Sequence, residues 1–165
     1  MTRIVVSFLV AAMVLAMVQA VVAQQPKGAA VSPAPVPTQI LSGKRVFISN
    51  AGEENLNTLI GPVFSGRYDR VYNQFYAAIK QWGRYEPVSV PAEADLVFEI
   101  GFTISGARQL PEIGHLRLAI RDPKTNVLLW SIVEYAQVAT LKRNRDKNLD
   151  QAMGTILDEL KDLTR

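Results

Sequence analysis

Residues 95–105 hold the feature that most constrains the fold. Five apolar side chains alternate there with a mixed set that includes Glu99, Gly101 and Thr103; they are Leu96, Phe98, Ile100, Phe102 and Ile104. Successive side chains of a β-strand point to opposite faces, so the alternation predicts a strand with one buried face. A sheet that is apolar on one face needs a second layer of structure to cover it.

Two stretches have the spacing of amphipathic helices that could form this layer. In residues 67–83, apolar side chains recur at steps of three and four: Tyr68, Val71, Tyr72, Phe75, Ile79 and Trp82. The same spacing recurs near the end of the chain in Leu149, Ala152, Met153, Ile156, Leu157, Leu160 and Leu163. Asn148 and Gln151 resemble a capping box, which predicts that the last helix begins at Asn148.

Shorter apolar runs predict the other strands. Residues 45–49 form one run, followed by a long connection over residues 50–66, and residues 85–90 form an edge strand because Pro87 interrupts them. Residues 116–121 and 127–138 form a hairpin across the Asp122–Asn126 turn. The apolar residues 127–130 have no polar face, which favours a central place in the sheet for this return strand.

The predicted order is strand, helix, four strands and helix. One-sided strands and one-sided helices bury their apolar faces by stacking. The sequence therefore predicts an α+β two-layer sandwich, with a mostly antiparallel sheet of four or five strands and two main helices packed on one face.

The first 23 residues have the character of an export signal. Arg3 precedes an apolar run from Ile4 to Val18, and small residues stand before Gln24. This pattern predicts cleavage after Ala23 and a periplasmic or secreted protein. The alternative is an uncleaved inner-membrane anchor, because about 20 apolar residues are enough to cross a bilayer.

Residues 24–43 contain four of the nine prolines. Closely spaced prolines disfavour helix and sheet, so this segment is predicted to be an extended, partly polyproline tether. A terminal tail without a role is the alternative. The folded domain is then expected over residues 44–165.

Composition excludes several kinds of chemistry. The chain has no cysteine, so it can form no disulfide, thiolate nucleophile or sulfur-bound zinc site. Its formal net charge is only +3, and nucleic acid is not an expected partner. His115 is the only histidine, and the pattern around it indicates a solvated residue at the end of a hairpin.

Three carboxylates, Glu93, Asp95 and Glu99, lie close together in the sequence. Paired carboxylates can divide acid and base roles, but acids on an exposed strand commonly pair with basic neighbours, here Arg117 or Arg121. The sequence therefore assigns no catalytic, cofactor-binding or metal-binding residue and favours a noncatalytic domain. A small carboxylate-dependent hydrolase or ligand-binding enzyme remains the alternative.

The densest group of charges precedes the predicted start of the last helix, and it consists of Lys142, Arg143, Arg145 and Lys147. We expect it to lie in a loop, where it could bind anionic lipid headgroups or an acidic partner. A solvated connector is the alternative.

Several short motifs carry a resemblance to a known group of proteins. They are the stretch from Ile79 to Val88, the Ala94-Asp95-Leu96-Val97 strand start, the Asp122-Pro123-Lys124-Thr125 turn and the Leu129-Trp130-Ser131 segment. The chain resembles exported bacterial domains of unknown function and the amino-terminal domain of the TolB envelope protein, and more distantly envelope lipoprotein domains. It lacks the cysteine found in many of these lipoproteins. The resemblance implies a noncatalytic envelope interaction or adaptor domain, whose partner and oligomeric state are unknown.

Overall fold

The computed structural model describes residues 34–55, 64–65, 69–105, 113–137 and 139–165. The predicted export signal and its cleavage position lie outside these residues. Within them, no helix combines the length and the apolar character needed to cross a membrane.

The described elements confirm the α+β class. In chain order they are α1 (Thr38–Ser42), β1 (Arg45–Asn55), α2 (Arg70–Trp82), β2 (Glu86–Val88), a 3-10 turn (Pro91–Glu93), β3 (Leu96–Ser105), β4 (Ile113–Arg121), β5 (Leu128–Gln137) and α3 (Lys142–Leu163).

The five strands form one open sheet in the order β2-β1-β3-β4-β5. β1 runs parallel to both β2 and β3, whereas β3, β4 and β5 form an antiparallel meander. The expected antiparallel pairing therefore holds for the second half of the sheet only, and the sheet as a whole is mixed.

The alternation in β3 does set the buried face. All five of its alternating apolar residues are buried, and α2 and α3 cover them together with the matching residues of the neighbouring strands. α2 packs over β1, β2 and β3, and α3 packs over β4 and β5. Phe75 of α2 meets Phe98 of β3 with ring centroids 6.3 Å apart. Two-layer packing with both long helices on one face follows from these contacts.

The end of the predicted tether belongs to the folded part of the chain. Ile40 of α1 is fully buried, and its carbonyl oxygen accepts a hydrogen bond of 3.0 Å from the Tyr85 hydroxyl. Gln39 Nε2 donates to the carbonyl oxygen of Asp95 at 2.9 Å. An extended conformation for residues 38–42 is therefore wrong, because one apolar side chain ties this short helix to the core.

Two turns have the conformations that their residues predict. Gly83 ends α2 with φ +72°, and Asn126 has φ +57° in the β4–β5 hairpin. In that hairpin, the Asp122 carboxylate accepts hydrogen bonds from the Lys124 N–H at 3.0 Å and the Thr125 hydroxyl at 2.7 Å.

Candidate functional site

The face of the sheet opposite α2 and α3 carries no helix among the described residues. A groove of about 550 Å³ lies on this face around Gly101. Its lining includes Ala51, Glu99, Thr103, His115, Arg117 and Val133. We call this side of the sheet the helix-free face.

A bulge in β1 shapes one side of the groove. The pairing of β1 with β3 shifts between Asn50 and Gly52, where Gly52 has φ +88° and donates its N–H to Asn50 Oδ1 at 2.9 Å. The shift brings Ala51 over Gly101 so closely that a Cβ atom on Gly101 would lie 2.8 Å from the Cβ of Ala51. Residues 50–55, expected in a connection, continue β1 instead.

The three carboxylates of the sequence analysis do not converge. Asp95 accepts hydrogen bonds from the backbone N–H groups of Lys44 and Arg45, each at 2.9 Å. The N–H of Arg45, then that of Lys44, holds the pKa of this carboxyl below its ordinary value. Asp95 is therefore an ionised acceptor that fixes the start of β1 beside the start of β3.

Glu99 has a different partner. Arg121 Nε donates to Glu99 Oε2 at 3.2 Å across the β3–β4 pair, as expected for acids on an exposed strand. Glu93 lies in the exposed 3-10 turn. Within the described ranges, no three His, Asp or Glu side chains gather as metal ligands.

His115 lies inside β4 on the helix-free face, so its expected place at the end of a hairpin is wrong. Its ring meets the ring of Tyr135 on β5 edge-on, with centroids 5.1 Å apart. The two residues are direct partners in the β4–β5 register.

The exposed large apolar side chains are concentrated on β5 and close to its ends in the sequence. Of seven large apolar residues that are exposed in the described part of the chain, five lie on β5 or beside it; they are Val127, Leu128, Val133, Tyr135 and Leu141. Tyr135 is 68% exposed and Leu141 is 66% exposed. β5 is the last strand of the sheet, so the predicted central position for residues 127–138 is wrong.

The two edges of the sheet differ in how they are protected. β2 has three residues and contains Pro87, and short edge strands with proline resist pairing with other chains. β5 has ten residues and contains neither proline nor lysine. β5 is thus longer than β2 and lacks the proline that interrupts it, although its pairing with β4 is irregular between Ile120 and Arg121 and Glu134 within it points towards α3.

A polar recess of about 210 Å³ lies between β5 and α3. Its lining includes Glu134, Gln137, Asn148, Gln151 and Thr155. Asn148 does not cap a helix as expected, because it lies inside α3, and its Nδ2 donates to the carbonyl oxygen of Gln137 at 2.8 Å.

The basic cluster lies in the first turns of α3, which begins at Lys142, and the predicted loop is wrong. Lys142, Arg143 and Lys147 are exposed. Arg145 is half-buried, and its Nε has no hydrogen-bond partner among the described residues. The first turn of α3 has no acidic residue and no side-chain cap.

Arg70 anchors this end of α3 to α2. Its guanidinium donates to Asp146 Oδ1 at 2.7 Å and to Asp150 Oδ1 at 2.8 Å. The backbone N–H of Ser65 also donates to Asp146 Oδ1, at 2.9 Å. The tertiary bonds of Asp146 and Asp150 therefore hold a helix start that local capping signals do not support.

Comparisons with known proteins identify no family for the chain. No family model and no curated protein sequence matches it. Among solved structures, it is similar to the PelC dodecamer of Paraburkholderia phytofirmans, with 10% identity over 78% of this chain and 93% of that chain and a TM-score of 0.43.

Two further solved structures are similar at the same level. Protein XCC0632 of Xanthomonas campestris is 15% identical over 79% of this chain and 87% of that chain, with a TM-score of 0.42. Lipoprotein GNA1162 of Neisseria meningitidis is 11% identical over 72% of this chain and 99% of that chain, with a TM-score of 0.38. The resemblance to TolB is not shown by these comparisons.

Proposed function

We propose that this chain is a noncatalytic protein-binding domain of the cell envelope that takes up an extended segment of a partner along the outer edge of β5. The observation that carries the proposal is the character of that edge, which is long, apolar and free of proline and lysine. The outward N–H and C=O groups of an edge strand are a template for pairing with another chain. Several protein families bind partners by adding a strand in this way.

The envelope location rests on the amino-terminal segment, whose apolar run and small residues before Gln24 are typical of export signals. The noncatalytic character is supported by the carboxylates. Asp95 is occupied by the backbone of β1, and Glu99 is occupied by Arg121. The three carboxylates that suggest a carboxylate-dependent hydrolase in the sequence, Glu93, Asp95 and Glu99, do not converge in the structure.

Photo-crosslinking in the native host tests the proposal. The photoreactive residue benzoylphenylalanine is placed at position 135 on β5 and, as a control, at position 90, where Val90 is also exposed but lies away from β5. We expect a discrete adduct from position 135 and none from position 90. Val133→Lys, which places a charge on the exposed side of the edge strand, should abolish the adduct while the chain stays folded. Equal adducts from both positions, or none from position 135, would contradict strand addition.

One observation favours a second contact, with an anionic membrane surface. Leu141 is exposed directly beside Lys142 and Arg143. An apolar side chain among exposed cations suits the boundary between anionic headgroups and acyl chains. We propose that the start of α3 adds this lipid contact to the binding of a partner at β5.

A further inference from the structure

The side chains of β5 set conditions on any strand that pairs with it. This inference rests on the strand addition proposed above. Val133 and Tyr135 lie on the helix-free face, and Glu134 between them lies towards α3. Side chains of an added strand would alternate in the same way, and each would lie about 5 Å from its neighbour on β5.

Glu134 has no cationic partner within the described part of the chain. It is half-buried in the polar recess beside Thr155, and it forms no ion pair with any residue that the structure describes. Glu159 follows Thr155 by four residues, on the same side of α3. Burial, and then the neighbouring Glu134, raises the pKa of Glu159. Glu134 therefore places a carboxyl group on the edge strand, with the carboxyl group of Glu159 close to it and no described cation between them.

We propose that the strand added to β5 comes from a different protein and carries a lysine or arginine beside Glu134, flanked by apolar residues beside Val133 and Tyr135. Charge complementarity decides between the two kinds of occupant. β5 contains no Lys, Arg or His, so a second copy that paired through β5 would bring another Glu134 and no cation. Like charges placed opposite each other destabilise a strand pair, whereas opposite charges stabilise it.

Peptide display on the full chain tests this chemistry. Random ten-residue peptides are selected on the wild-type chain and, in parallel, on Glu134→Gln and Glu134→Lys. The Gln variant preserves the size of the side chain and removes only its charge. We expect the wild type to enrich peptides with Lys or Arg between two apolar residues. This preference should vanish with Glu134→Gln and change to Asp or Glu with Glu134→Lys. A peptide selected on the wild type should bind Glu134→Gln about two- to fivefold more weakly.

The possible failures have separate meanings. Val133→Lys is the control for location, and it should abolish binding of the selected peptides. Peptides that require the β5 edge but show no preference for charge would overturn the basic partner and leave strand addition standing. Failure to select any peptide, or binding that is insensitive to Val133→Lys, would overturn strand addition itself. Sedimentation velocity of the wild-type chain completes the test, because a dimer that Val133→Lys dissociates would show that the occupant is a second copy.

Discussion

The ring of Tyr135 on β5 stands edge-on against the ring of His115 on β4, with centroids 5.1 Å apart and planes at 67°. This contact holds one side of Tyr135, although 68% of the residue remains exposed. An aromatic side chain that is already held in place loses little conformational freedom when a partner packs against it. β5 therefore presents a prearranged aromatic contact beside its free edge.

Tyr135→Ala should weaken partner binding with little effect on stability. The side chain is mostly exposed and loses only its cross-strand contact with His115, so the free energy of unfolding should fall by no more than about 1 kcal/mol. Binding of peptides selected on β5 should fall about tenfold, as is typical for loss of an aromatic anchor. Val90→Ala, at an exposed position away from β5, is the control and should bind normally. Unchanged binding by Tyr135→Ala would contradict a role for the aromatic ring.

Two glycine substitutions should have opposite effects on stability. Gly101→Ala would place a Cβ atom 2.8 Å from the Cβ of Ala51, so the β1 bulge must shift and the domain should be destabilised. Gly154→Ala lies within α3 with no atom within 4 Å of the added Cβ, and it should stabilise the domain by about 0.5 to 1 kcal/mol. Urea unfolding measures both. Ala51→Gly should restore the stability of Gly101→Ala, and failure to do so would show that the bulge contact is not the cause.

The layers of the fold could be predicted from the sequence because the spacing of apolar residues shows which side of each strand and helix is buried. The alternation in β3 and the spacing of Val71, Phe75 and Ile79 in α2 each identify the buried side without reference to the rest of the chain. The order of the strands could not be predicted in this way. The apolar run at residues 127–130 resembles a central strand, yet it lies at the start of an edge strand, where Val127 and Leu128 stay exposed.

Asp95 should make the stability of the domain depend on pH in the acid range. The pKa of Asp95 is lower in the folded state than in the unfolded state. Its contribution to the free energy of unfolding is therefore complete above the ordinary Asp pKa of about 3.9 and is lost as the pH falls through the lower pKa of the folded state. Asp95→Asn should cost about 1 kcal/mol at pH 7, since it weakens two hydrogen bonds to N–H groups. The stability of the Asp95→Asn variant should also fall less than that of the wild type between about pH 5 and about pH 2.5, the range over which Asp residues titrate. Glu93→Gln is the control, and a pH profile of Asp95→Asn identical to that of the wild type would contradict this role.

Replacement of Lys142, Arg143, Arg145 and Lys147 by glutamine should weaken binding to anionic vesicles. Each cation near such a surface contributes about 1 kcal/mol, so we expect a loss of up to about a thousandfold and a weaker dependence on salt. Vesicle sedimentation at two salt concentrations measures this effect. The control changes the net charge equally by replacing four exposed cations elsewhere, Lys44, Lys80, Arg117 and Lys124. Equal losses of vesicle binding in the two variants would show that binding depends on net charge and not on the basic cluster.

The basic cluster also shows why the sequence predicts a start for α3 that is too late. Asn148 and Gln151 match a local capping pattern, and cations disfavour a helix start, so both signals favour a later beginning. Arg70 overrides them by binding Asp146 and Asp150 from α2, which is a contact between residues more than 70 positions apart. The β5 edge, in contrast, could have been recognised from its lack of proline and lysine, but only once its place at the end of the sheet was known.

Amide hydrogen exchange of the full chain, with and without a peptide selected on β5, tests strand addition most directly. An added strand would pair with the outward N–H groups of residues 128–137, so their exchange should slow when the peptide binds, while exchange in β2 at the opposite edge stays unchanged. Slowed exchange confined to α2 or β2, or unchanged exchange throughout β5 at saturating peptide, would contradict the account.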